Sequence, residues 1–194
     1  MKPFAGYETA RVSFGGGGER LPAGGYVIEI IRAIDMEYSW GNQLQLEIDI
    51  LEGEHKEFYD KNYSAQIGPA KWKGVCRISL PKGDGSEKDG WSANAFKSSI
   101  AAIEESNSGF VWDWDERKLE GKTVGALFRD KEFEMDDGSV GTVTECFKLM
   151  PVELIRGNKF TMPKPKLLNK QTAVQSNDGG YPVDDDYDPW NKGK

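Results

Sequence analysis

Between positions 56 and 77 the chain interleaves cations with aromatic rings: Lys56, Tyr59, Lys61, Tyr63, Lys71, Trp72, Lys73 and Arg77. A surface that holds an unpaired nucleic-acid strand needs this mixture, because ammonium and guanidinium groups neutralise phosphates while flat rings stack on bases. If 56–63 is a strand, its two-residue period puts Tyr59, Lys61 and Tyr63 on one face. Later in the chain the same period groups Arg129 with Lys131 and turns Val124, Ala126 and Phe128 the other way, with Lys148 near the cations across a hairpin. Tyr59, Lys61, Tyr63, Lys71, Trp72, Lys73, Arg77, Arg129, Lys131 and Lys148 are therefore the candidate DNA-binding residues. The plainer alternative is that the lysines are solvated surface and the aromatics fill the core. Glu47 and Asp49 also count against the idea, since they occupy the outward face of a strand along which a nucleic acid would run.

Catalytic groupings are thin. The lone His55 lies in a charged turn, and Cys146 sits in an apolar strand with no basic neighbour in sequence. Asp113, Asp115 and Glu116 could be imagined as a carboxylate metal cluster, but they fit a solvated turn beside Trp112 and Trp114 better. The run from Gly15 to Gly18 is no phosphate loop, because no strand precedes it and no Gly-Lys-Ser/Thr follows. No catalytic residue, metal or cofactor is expected. Cys76 and Cys146 match no metal-ligand spacing and are expected to be reduced thiols of a cytoplasmic protein.

The chain has 194 residues, 38% of them apolar and 29% charged, without an apolar run near the ~20 residues that cross a bilayer. Its start lacks the pattern of a secretory signal, so a soluble cytoplasmic protein is expected. Its net charge of −7 argues by itself against a nucleic-acid partner, yet the charge is segregated. Residues 176–194 hold five acids and two lysines, residues 56–82 hold six bases and two acids, and residues 156–170 hold five bases and no acid.

The elements that would position these residues follow from the hydrophobic pattern. Residues 26–35 are rich in Ile and Val, and 43–51 alternate Leu44, Leu46, Ile48 and Ile50 with polar residues, so both are read as strands. One or both of 56–63 and 74–80 should continue the sheet. Phe96, Ile100 and Ile103 at helical spacing mark one helix over 92–106, capped by Ser92 or Asn94 and followed by Gly109. Strands over 122–135 and 142–150 are joined by Asp136-Asp137-Gly138-Ser139, whose Asp-Gly pair suits a tight hairpin. The order of three strands, a helix and two strands is that of an OB-fold, a five-stranded Greek-key barrel with one helix between strands 3 and 4. A small β-sandwich is the alternative. Residues 1–24 read as a flexible arm, 25–168 as the folded domain, and 169–194 as a disordered acidic tail.

Three stretches, 71–81 (KWKGVCRISLP), 104–133 (EESNSGFVWDWDERKLEGKTVGALFRDKEF) and 155–168 (IRGNKFTMPKPKLL), resemble a family of small proteins from phages and prophages of Gram-positive bacteria. The similarity spans roughly residues 21–168, with the Trp-Asp-Trp-Asp block at 112–115 its most specific part. Members are described as uncharacterised or as single-stranded DNA-binding proteins. The resemblance implies an OB-fold protein that coats single-stranded DNA in phage replication or recombination, without assigning binding residues. The ending, Asp184, Asp185, Asp186, Tyr187, Asp188, Pro189 and Trp190, is similar to the acidic tip by which bacterial single-stranded DNA-binding proteins recruit phage or host replication and repair proteins. That tip ends in a Pro-Phe pair and its carboxylate, whereas here Trp190 replaces Phe and four residues follow. The expectation is a non-enzymatic single-stranded DNA-binding protein of low sequence preference, with an OB-like protein-interaction module or an RNA binder as alternatives.

Overall fold

The computed structural model describes residues 19–66 and 68–168. The order is β1 (Gly24–Met36), β2 (Gln43–Ile50), α1 (Phe58–Ala65), β3 (Val75–Ser79), α2 (Glu87–Ser106), a 3-10 turn (Glu116–Leu119), β4 (Thr123–Glu134), β5 (Val140–Met150) and α3 (Val152–Arg156). The strands form one antiparallel sheet in the order β3-β2-β1-β4-β5.

β1 supports both halves of this sheet. Gly24 to Glu29 pair with Phe128 back to Thr123 of β4, while Ile28 to Met36 pair with Ile50 back to Gln43 of β2. A bulge lies between Ile30 and Arg32, where the backbone of Ile30 also bonds Gly121 and Lys122. A bulge bends and twists a strand, so the two halves turn toward one another. Ile28, Ile30, Leu44, Leu46, Ile48, Val124, Ala126 and Phe128 alternate onto the concave side, where Ala102 and Ile103 of α2 complete the principal core. The opposite face of the β1–β4 half is covered by α3, whose Val152 and Ile155 pack on Val27 and Leu127. Gly125 allows this approach, since a Cβ there would lie 2.5 Å from the Ile155 side chain and 2.7 Å from the Met150 carbonyl.

Segment 56–63 does not extend the sheet. Asp49 lies on the outward side of β2, and its carboxylate accepts backbone N–H bonds from Ile50 (2.8 Å), Tyr59 (2.9 Å) and Asp60 (3.1 Å). The Tyr59 and Asp60 groups are free donors of a helix N-terminus, so a distant carboxylate starts α1 where local propensity is neutral. Helix α2 begins five residues earlier than its apolar spacing suggests. Ser86 is the N-cap, accepting the Asp89 N–H, and Asp89 in turn accepts the backbone N–H groups of Lys82 and Gly83. Residues 19–24 are also more than an arm. Leu21 is buried in the principal core, its carbonyl accepts the Thr144 hydroxyl, and Arg20 pairs with Asp130 at 2.5 Å. Near the other terminus, Lys166 forms a parallel bridge to Lys131 on the margin of β4 that β1 has left. Its N–H donates to the Asp130 carbonyl (2.8 Å) and its carbonyl accepts the Glu132 N–H (2.9 Å). The Gly15 to Gly18 run and the whole acidic tail lie outside the described residues.

Replacing Asp49 with Ala removes the anchor of α1 and leaves three part-buried N–H groups without it. Urea unfolding should show a loss of about 1–2 kcal/mol with an unchanged slope. A loss below a few tenths would mean that α1 does not depend on this carboxylate.

Candidate nucleic-acid interface

The outer face of β3, β2 and the second part of β1 is not covered by α3, though α1 covers Asp49 at one end of β2 and Gln43 is buried at the other. Register and alternation lay three cross-strand rows over it: Arg32, Glu47 and Val75; Ile34, Gln45 and Arg77; Met36, Gln43 and Ser79. Arg77 is exposed, with no carboxylate in ion-pair range among the described residues. Both acids that argued against a nucleic-acid surface are bonded, Glu47 within the face to its row neighbour Arg32 and Asp49 to α1. Glu47 receives two bonds from the Arg32 guanidinium (2.9 and 2.5 Å), which hold the arginine charge firmly in place, and Asp49 is occupied by α1.

Aromatic pairs flank opposite ends of the β2–β3 ladder. Before β2, Tyr38 and Trp40 stack in the connection from β1, with ring centroids 4.7 Å apart and planes 13° apart. Before β3, Tyr63 of α1 lies against Trp72 at 5.6 Å, and the Trp72 indole donates to the Gly74 carbonyl (2.9 Å). Sequence reasoning missed Arg32, Tyr38 and Trp40. Two aromatics at alternate positions in the short connection between the two strongest strand patterns were the available signal.

The sequence candidates separate into three groups. Lys71, Trp72 and Lys73 lead into β3, with Tyr63 against Trp72 and Arg77 on the strand itself; Tyr63 is 40% exposed. Gln66 fixes the Lys71 backbone through both its N–H and its carbonyl. Lys61 stands nearby on α1 but donates to the Lys56 carbonyl and faces Glu57. The second group is partly neutralised. Arg129 bonds Glu145 (2.9 Å) and covers the Phe147 ring at 4.4 Å, while Lys131 reaches the other Glu145 oxygen at 3.3 Å. Lys148 is exposed on β5. Tyr59 forms the third group alone and is a correction: it is 7% exposed, packs edge-on to Phe58, and burial pushes its hydroxyl well above the usual range. A ring whose faces are already covered cannot stack on a base.

The carboxylates at 113 and 115 are bound to neighbouring cations, Asp113 to Lys118 and Asp115 to Arg117, and these partners hold both acids below the usual carboxylate range. Among the described residues no group of three or more His, Cys, Asp or Glu could hold a metal ion. Trp112 and Trp114 gather with Phe96 of α2, and Trp114 is stacked on it yet 76% exposed. No helix among the described residues is long and apolar enough to cross a membrane. No protein-family model matches the chain, and neither does any curated protein.

The Arg32–Glu47 pair lies on a solvent-exposed face, so its attraction should be small. A double-mutant cycle with Arg32→Ala and Glu47→Ala should give a coupling energy of ~0.2–1 kcal/mol in urea unfolding. A coupling of several kcal/mol would mean that Arg32 is locked to Glu47 and unable to exchange it for another anion.

Proposed function

We propose that this protein binds single-stranded DNA without catalysis, across the outer face of β3, β2 and the end of β1, and that its sheet is the barrel of an OB-fold. The observation that carries the reading is the open half-face itself. It presents Arg77 beside an Arg32–Glu47 pair that neutralises itself, Asp49 is held by α1, and the stacked Tyr38–Trp40 pair stands at one end with Tyr63–Trp72 at the other. The strand order β3-β2-β1-β4-β5, with α2 between β3 and β4, is the one an OB barrel has before its edges meet. In that barrel, strands 2 and 3 and the connection between strands 1 and 2 form the ligand surface. The 4–5 connection, which carries Asp136 and Asp137, adds no cation here. The resemblance to phage single-stranded DNA-binding proteins agrees with this reading and suggests a role in phage replication or recombination in the bacterial cytoplasm.

A protein-interaction module is the second reading, favoured by a separate observation. Trp91 is exposed on α2, and Val111 and Trp114 are exposed in the segment that follows it. An RNA ligand is distinguished by competition between matched DNA and RNA strands, since only contacts to the 2′-hydroxyl separate them.

Anisotropy of a labelled oligo-dT at low salt should report binding. Trp40→Ala should weaken it by ~1–3 kcal/mol. Arg77→Ala should lower the salt slope by about 0.7. Trp114→Ala should change neither quantity. Absence of binding to oligo-dT at low salt removes the proposal, and loss of binding in Trp114→Ala alone moves the interface to the other side of the molecule.

The acids between Asp184 and Asp188 are tethered to the body and so compete with phosphates at a high local concentration. A chain lacking residues 176–194 should bind oligo-dT more tightly at low salt and equally at high salt. Equal affinity at low salt would show that the tail does not compete.

A further inference from the structure

The two cysteines lie 70 residues apart in sequence, on the two outermost strands of the sheet. Cys76 is opposite Leu46 in the β3–β2 register and Cys146 opposite Phe128 in the β5–β4 register, so both thiols point to the concave side. There they meet: the Cys146 thiol donates to the Cys76 sulfur at 2.9 Å. Both are free thiols. Among the described residues no strand pairing joins β3 to β5, so the sulfurs touch across a seam between two unladdered edges.

A disulfide has a sulfur separation of about 2.05 Å, so the bond requires closure by ~0.9 Å from the 2.9 Å contact. Two edges free of mutual backbone hydrogen bonds can make that movement. We propose that Cys76 and Cys146 are a peroxide-responsive dithiol that closes to an intramolecular disulfide and fastens β3 to β5.

The chemistry balances with hydrogen peroxide as the oxidant. The Cys76 sulfur attacks one peroxide oxygen; the O–O bond breaks, and the departing hydroxide takes the Cys76 thiol proton and leaves as water. The resulting sulfenic acid is attacked by the Cys146 sulfur. The S–S bond forms, the S–O bond breaks, and hydroxide leaves with the Cys146 proton as a second water. Two thiols lose two electrons and peroxide gains them. A dithiol reductant reverses the step by thiol–disulfide exchange.

Cys146 waits at contact distance, so the sulfenic acid is trapped before it can be oxidised to sulfinic acid. The hydrogen bond to Cys76, and then burial, push the Cys146 thiol up, so Cys146 stays protonated while the resting pair persists. Intracellular disulfides in ordinary cells are characteristically transient and redox-sensing, which suits a bond made under peroxide and removed afterwards. This inference is independent of any DNA ligand.

The full-length protein is exposed to hydrogen peroxide under native conditions, then denatured, alkylated and weighed intact. The expected product is a monomer that has lost two hydrogens, takes up no alkylating agent and yields one cross-linked peptide pair containing Cys76 and Cys146. Its melting temperature should exceed that of the reduced protein by roughly 5–10 °C, as a cross-link closing a long loop implies. Dithiothreitol should restore two thiols and the lower value. Cys146→Ser and Cys76→Ser should each show no rise on oxidation. The proposal is overturned if the wild-type chain keeps two alkylatable thiols, advances to sulfinic acid, or joins through disulfides between chains.

Discussion

β1 must satisfy two neighbours that cannot both lie flat beside it. Its first residues complete β4, its last complete β2, and only Ile28 and Glu29 are paired on both sides. The bulge at Ile31 reconciles these demands by letting the strand turn, and the rest of the architecture depends on that turn. It makes a concave side deep enough for Ile30, Leu46, Ile48 and Phe128 to be buried with α2. It also brings β3 and β5, which stand four positions apart in the sheet order, close enough for their cysteines to touch. On the convex side it separates a half sealed by α3 from a half left open.

Charge is allotted just as unevenly. A chain carrying −7 would repel a polyanion if its acids were spread over every surface. In the fold, many are consumed internally: Asp49 by a helix terminus, Glu47 by Arg32, Glu145 by Arg129 and Lys131, and Glu52 by Arg156, whose guanidinium keeps that carboxyl below the usual range. Arg77 on the open half-face has no such partner among the described residues. Local potential follows from which acids are already bonded, and the sum over the chain carries none of that information.

What could be read from the sequence was whatever local periodicity determines. The alternation of Leu44, Leu46, Ile48 and Ile50 gave β2 its orientation, and the 122–135 and 142–150 segments were located to within two residues. Of the two segments expected to supply the third strand, 74–80 does so and 56–63 does not, because the helix of 56–63 is anchored by Asp49, seven residues before that segment and outside any local window. Leu21 escaped notice because a Gly-rich neighbourhood hides one residue that joins the principal core and whose carbonyl is bonded by Thr144 of β5. For the site, Arg77 and the Tyr63–Trp72 pair came from composition alone. Tyr59 had the same composition and belongs to the core, because residue type cannot distinguish a ring with a free face from one already covered. Arg32 became visible only through the register that sets it opposite Glu47.

The division of β1 leaves a debt on β4. Beyond Phe128, the margin that β1 has abandoned would present bare N–H and C=O groups, and such an edge is a template on which another chain can add as a strand. Lys166 occupies it, bonded to Asp130 and Glu132, and the Leu168 N–H is held by the Glu132 carboxylate at 3.1 Å. The segment thus closes that stretch of β4 to strand addition by a second copy, which leaves β3 and β5 as the edges of the sheet.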